Sequence, residues 1–365
     1  DGFPLNRTKL EAIYDLTDDP LMTDKTGQRY MDLRAEFIVP FIKYHDRWSD
    51  LSARDISPNY ERELGGERNI AVAEPDTYEI SYSVADEQGY GFVYLRRFIE
   101  YCSDRGIRVL LTDLPYPCKN NNDEQLYTNA VTYMADEYGI EYIDFVFMDQ
   151  VVDYSTDCYD PGSHLNPSGA WKVTDFLGCY LTETYDLPNH RGEEAYASWD
   201  TGYAAYRSEK LKSICEETET DNFLMLLADP SFSTVLLVPE GSKVGADQRK
   251  MQLLQNAGRR HLMPEDADEA VWSDSLMPLE QLPDSGEEAY MAIIDRAGAS
   301  IGECVGEGSL STSFGSVSLD KETGDAAVTG TDGSFNLNVP SGTDVYAAVL
   351  DKQTGEVLYE RAIKL

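Results

Sequence analysis

The chain has 365 residues, enough for two domains. Its 66 acidic against 30 basic side chains give a formal charge of −36. That charge argues against nucleic acid and anionic membrane surfaces as partners, because both repel an acidic protein. No apolar run approaches the ~20 residues that cross a bilayer, so direct membrane insertion by this segment is not expected. The chain opens at Asp1-Gly2-Phe3, with neither an initiator Met nor a signal peptide, and reads as a mature or trimmed fragment.

Asn6-Arg7-Thr8-Lys9 opens a short helical pattern through Ile13 and Leu16. Residues 27–52 read as helix on both sides of Pro40, with Phe37, Ile38, Phe41, Ile42 and Trp48 apolar. Residues 53–88 are irregular and read as a long loop or a lid. Residues 90–103 carry Phe92, Leu95, Phe98, Ile99 and Cys102 at helical spacing, stopped near Gly106. Residues 107–112 form a continuous apolar run, as a buried parallel strand does. A helix is expected over about 123–138, ending at Gly139, and a strand over 140–145. Helix and strand alternate, the pattern of a doubly wound α/β sheet. Such a sheet usually has about five strands, and only two stand out here.

Residues 186–220 read as a polar, partly helical connector rich in Tyr and Glu. From 221 the texture changes. A short apolar helix (223–227), a strand (234–238) and a helix (247–256) come first. Short strands follow at 290–294, 316–319, 335–339, 345–350 and 357–363, separated by turn signals such as Asp332-Gly333. That rhythm predicts a compact antiparallel β domain.

The richest stretch is Tyr159-Asp160-Pro161-Gly162-Ser163-His164-Leu165-Asn166-Pro167. Asn166 is a good N-cap and Pro167 suits the first helical position. Ala170, Val173, Leu177, Tyr180 and Leu181 then mark one helix face. His164 therefore lies on a loop leading into a helix, with Asp160 four residues earlier. A carboxylate beside an imidazole fixes its tautomer and stabilises its cation, as a general base requires. The spacing alone is equally at home in a loop histidine held for packing.

Asp-x-x-x-His-Leu-Asn, followed by Gly-Ala and an amphipathic helix, resembles the last block of SGNH (GDSL-like) hydrolases. Tyr44-His45-Asp46-Arg47-Trp48 is similar to a segment of the SGNH-like proteins of bacterial surface-glycan clusters. The Asp-to-His spacing is one residue longer than the family's usual one. The resemblance covers roughly residues 1–200. It implies a partial three-layer α/β/α domain of SGNH or flavodoxin-like type over 1–190, a connector over 191–221 and a smaller, mixed α/β, β-rich domain over 222–365. The last part resembles the interleukin-like EMT-inducer domain through Tyr290-Met-Ala-Ile-Ile-Asp and the closing hairpin at 345–357. Relatives of that module bind sugars, whereas a generic β spacer accounts for the strands equally well.

The resemblance implies acyl transfer on an extracellular or cell-envelope glycan, with His164 as base, Asp160 as its orienting acid and no cofactor. His45, Arg47, Trp48 and Asn166 become candidate substrate-binding residues. His45, Arg47 and Trp48 read equally well as an ordinary helix end. No convincing serine block appears, so the nucleophile is expected to lie outside this chain. Ser273-Asp274-Ser275-Leu276 mimics the family's signature but has no apolar strand before it, and no Gly-x-Ser-x-Gly elbow occurs. The alternative is a non-catalytic glycan-binding or assembly protein that keeps the shell. Four scattered histidines and six cysteines without a Cys-x-x-Cys pair give no metal signal. Cys118 and Cys158 fall in loops at the same expected sheet edge and read as either a bridge or two free thiols.

Overall fold

Residues 6–18, 27–39, 69–73, 81–85, 90–115, 122–148, 151–161, 164–185, 187–258, 279, 281–282, 286–298, 300–331 and 333–365 are described by a computed structural model. The chain's contacts separate Asp1–Gly66 from Glu67–Leu365. In the first unit, helix α1 (Arg7–Asp18) is capped by Asn6, whose Oδ1 accepts the Lys9 N–H at 2.8 Å. Arg34, opening the short helix α2 (Arg34–Ile38), donates to Thr17 Oγ1 at 2.6 Å and lies 4.7 Å over the Tyr14 ring. Residues 40–68 lie outside the described residues, and with them His45, Arg47, Trp48 and most of the expected long loop.

The second unit opens with α3 (Tyr90–Ser103), β1 (Leu110–Asp113), α4 (Asn122–Tyr138) and β2 (Glu141–Asp144). Local chemistry sets the ends of both helices. Gly106 (φ +66°) and Gly139 (φ +60°) take up the left-handed conformation that closes a helix C-terminus. Ile107 N and Ile140 N then donate back to Cys102 O and Ala135 O at 2.9 and 3.0 Å. The first strand starts later than the apolar run suggests. Ile107 is exposed, because its N–H is still engaged in the helix-ending turn.

β1 and β2 are parallel, with Leu111 opposite Tyr142 and Asp113 opposite Asp144. Leu111 joins Phe92, Ile99, Ala130 and Met134 of α3 and α4. Leu110 and Ile143 join Val173 and Phe176 of α5 (Pro167–Tyr185). Helices therefore cover both faces of the pair, as an α/β arrangement requires. Phe98, expected inward, is exposed, because α3 turns Phe92, Ile99 and Cys102 to the core instead.

Residues 197–216 form one long helix, α6 (Ala197–Glu216), followed by α7 (Thr220–Leu226). Then come β3 (Phe232–Val238), α8 (Gln248–Gly258), β4 (Tyr290–Asp295), β5 (Ser300–Val305), β6 (Gly308–Thr312), β7 (Gly315–Leu319), β8 (Ala326–Gly330), β9 (Gly333–Leu337), β10 (Val345–Asp351) and β11 (Val357–Ile363). An antiparallel sheet runs β11-β10-β3-β4-β5, and a four-stranded meander runs β6-β7-β8-β9. Leu236, Val238, Ala292, Ile294, Ala347 and Val349 face α7 and α8. Val235, Leu237, Met291, Ile293, Ala348 and Leu350 face the meander. The central strands are thus buried on both faces, which is why they read as unbroken apolar runs rather than alternating ones.

The α/β and β-rich parts pack tightly within this unit. Ile70 and Val72 lie against the helix-side core of the β-rich part, while Ala73 N donates to Cys158 O at 3.0 Å in the α/β part. The start of α5 is equally close. A Cβ on Gly169 would lie 2.5 Å from Asp157 O and 2.9 Å from Asp157 Cβ. Gly-to-Ala in a helix interior normally stabilises by about 1 kcal/mol. Here the sign should reverse. Gly169→Ala is expected to cost about 1–3 kcal/mol through overpacking against backbone, read as a lowered urea midpoint. A raised midpoint would mean that the loop yields freely.

Candidate active site

The chain leaving β2 makes a 3-10 turn at Phe145–Phe147, capped by Asp144, whose Oδ1 accepts the Val146 N–H at 2.9 Å. Burial holds the Asp144 carboxyl above its ordinary range. The following loop is built by its own side chains. Asp153 Oδ1 accepts the Ser155 N–H at 3.0 Å, an Asx turn. Cys158 then bridges antiparallel to Leu165, Tyr159 N donates to His164 O at 3.2 Å, and Asn166 N donates to Asp157 O at 2.8 Å. These bonds make a narrow stem whose tip carries Asp160 and His164.

At the tip, Asp160 Oδ2 lies 2.6 Å from His164 Nδ1, and Asp160 Oδ1 accepts the His164 backbone N–H at 3.2 Å. An ionised carboxylate offers acceptors alone, so Nδ1 carries the proton and Nε2 the lone pair. Tyr159 stacks on the imidazole, centroids 5.3 Å apart and planes 14° from parallel. The His164 side chain is 61% exposed and that of Asp160 32%, so the imidazole is open to solvent. The extra residue between Asp160 and His164 does not prevent the pair from forming.

Asn166 is placed differently. It is buried, and Oδ1 accepts the N–H groups of Ser168 and Gly169 at 3.1 and 3.2 Å. Its Nδ2 donates to Thr156 O at 2.8 Å and Ala71 O at 3.2 Å. Its polar atoms serve the cap and the loop. The start of α5 follows the sequence reading, and Val173, Leu177 and Tyr180 of the expected face join the core. Ser168, Gly169, Lys172, Val173 and Phe176 are buried, while Ala170 is exposed.

Lys172 is the residue that sequence reasoning passed over. Its ammonium lies 2.9 and 2.7 Å from the two oxygens of Asp157, and neither side chain is more than 1% exposed. Asn256 of α8 completes the cluster. It accepts from Lys172 and donates to Asp157 Oδ1 at 2.9 Å and Ser168 Oγ at 3.4 Å. A lysine inside an apolar helical pattern was the signal, and it pointed to an inward partner that no local rule identifies.

Two concavities among the described residues lie away from His164. One, of about 680 Å³, lies over the meander and is lined by Ser309, Ser318, Asp320, Asp325, Asn336 and Asn338. The other, of about 500 Å³, runs along α5 past Trp171, Asp175, Cys179 and Glu183 to Arg191. The carboxylate–imidazole geometry carries more chemical information than either hollow, because it fixes a proton position. Among the described residues, no group of three or more His, Cys, Asp or Glu side chains is placed to hold a metal ion. No described helix is long and apolar enough to cross a membrane. Ser273–Leu276 and Cys118 lie outside the described residues.

Cys158 is a free thiol, fully buried at the base of the stem. Burial, reinforced by Asp157, Asp160 and Asp153, pushes it up to about 12. The thiolate is the reactive form. Iodoacetamide at pH 8 should therefore modify exposed Cys215 and leave Cys158 intact until denaturant is added, as read by peptide mass mapping. Modification of Cys158 in the folded protein would show that the stem opens.

Set against family models, curated proteins and solved structures, the chain matches none of them.

Proposed function

We propose that this chain carries the general base of an SGNH-like carbohydrate esterase or O-acyltransferase acting at the cell envelope. The supporting observation is the 2.6 Å contact between His164 Nδ1 and Asp160 Oδ2 on the loop that follows β2. In open α/β sheets, chemistry gathers beyond the carboxyl ends of the strands.

His164 Nε2 takes the proton of a serine hydroxyl as its oxygen attacks an ester carbonyl. Asp160 stabilises the imidazolium that results. The imidazolium returns its proton to the departing alkoxide, leaving an acyl-enzyme. Water then releases the acid, or a sugar hydroxyl receives the acyl group. Among the described residues, no serine hydroxyl hydrogen-bonds to His164. The test is turnover of p-nitrophenyl acetate and of an acetylated polysaccharide by the full-length protein. Loss of turnover in His164→Ala supports the reading, and equal rates in variant and wild type remove it.

The meander favours a second reading, glycan recognition without catalysis. Ser309, Ser318, Ala327 and Asn336 lie in register across its four strands, and three of these four line the 680 Å³ hollow with hydroxyl or amide groups. Glycan binding that persists in His164→Ala, with no turnover in wild type, would favour this reading over the first.

A further inference from the structure

We propose that Asn256 and Arg249, on a helix of the β-rich part, are positioning residues for the His164–Asp160 pair. The proposal rests on the reading of His164 as a base. It adds that the β-rich part is not a detachable binding module but a piece of the scaffold that holds that base.

Asn256 and Arg249 are seven residues apart on α8, two helical turns, and so share one face. Met251, Leu253, Leu254 and Ala257 of the same helix are built into the β-rich core. α8 is therefore a fixed platform. From it, Arg249 donates through Nη1 to Ser155 O and through Nη2 to Ala73 O at 3.4 Å. Asn256 engages Asp157, Lys172 and Ser168, as described above.

Every one of these contacts converges on the base of the stem. Asp157 is three residues before Asp160, and Asn166, bonded to Asp157 O, is two residues after His164. A carboxamide at 1% exposure in a helix interior is unfavourable unless fully partnered, and leucine would bury more easily there. Asn256 is partnered at both ends, across the boundary between two packed parts. A buried polar group that selects one register is a known use of such clusters. Here the register it selects is that of the loop carrying the base.

The experiment compares Asn256→Ala and Arg249→Lys with wild type in the full chain. Arg249→Lys keeps the charge but removes the fork that reaches two carbonyls, and it covers the case in which Asn256→Ala fails to fold. The first readout is amide exchange at Tyr159 and Asn166, whose N–H groups close the stem, with β10 amides as the control for the global fold. The second is the ¹⁵N signature of the His164 ring, assigned by its loss in His164→Ala. The third is kcat and KM for p-nitrophenyl acetate.

The expected result is faster exchange at Tyr159 and Asn166 with β10 unchanged, and loss of the fixed Nδ1–H tautomer. With it comes a fall in kcat of about 10²-fold, the scale of a 1 Å misplacement, at a KM within about twofold. Unchanged exchange, or faster exchange with the tautomer and kcat intact, would overturn the proposal. If the full-length wild-type protein turns nothing over, the acyl-transfer reading falls, and the exchange and tautomer readouts still decide whether α8 positions the ring.

Discussion

Lys172→Met should lower the unfolding free energy by about 3–5 kcal/mol, because it strands a buried charge. Asp157 and Lys172 are both fully buried. With the ammonium gone, Asp157 keeps the Asp153 N–H at 2.8 Å and Asn256 Nδ2 at 2.9 Å, but no cation. A carboxylate in that setting either protonates or draws in water, and both are costly. The double variant Asp157→Leu, Lys172→Met should recover much of the loss, since replacing a buried pair with apolar groups is often neutral. Urea denaturation of the three proteins measures both effects. A single-variant loss below about 1 kcal/mol, the range of an exposed pair, would mean that water reaches the site. Lys210 and Asp229, 3.1 Å apart and also buried, form a comparable pair between α6 and the turn after α7.

What the sequence made legible was mostly local. Asn166-Pro167 announces a capped helix because capping needs only the next three N–H groups, and the cap is present. Gly106 and Gly139 announce helix ends for the same reason. β3, β4 and β10 are legible because burial on both faces leaves an unbroken apolar run. β5, β6 and β8 were missed. Gly308–Thr312 and Ala326–Gly330 are rich in Gly, Ser and Ala, and Ser300–Val305 carries Gly302 and Glu303 at its centre, so their strand character comes from neighbours rather than from an apolar run. Lys172 was left off the inward face of α5 because periodicity counts a lysine as a surface residue, and its partners, Asp157 15 residues upstream and Asn256 84 residues downstream, make it an inward one. At the candidate site, the Asp160–His164 contact was foreseeable from spacing. The clamp beneath it was not, because it joins residues from three separated stretches of the chain. The site residues proposed at 45–48 lie outside the described residues.

His164→Ala should lower kcat/KM for an acetyl ester by roughly 10²–10⁴-fold, the range that a positioned general base supplies. Asp160→Asn should lower it less. The asparagine carbonyl can still accept the Nδ1 proton, but it no longer balances the charge of the imidazolium. Its amide end cannot replace the carbonyl without presenting donor to donor, so the ring loses its single tautomer in a fraction of molecules. The effects should be strongly non-additive. Once the imidazole is absent, the carboxylate has nothing to orient, and the double variant should resemble His164→Ala alone. Additive losses would show that Asp160 contacts substrate independently, contrary to its two bonds to residue 164. Tyr159→Leu offers a finer comparison. It removes the ring stacked on the imidazole at 5.3 Å but leaves the backbone stem bond to His164 O. A loss smaller than that of Asp160→Asn would rank electrostatic orientation above stacking in holding the base.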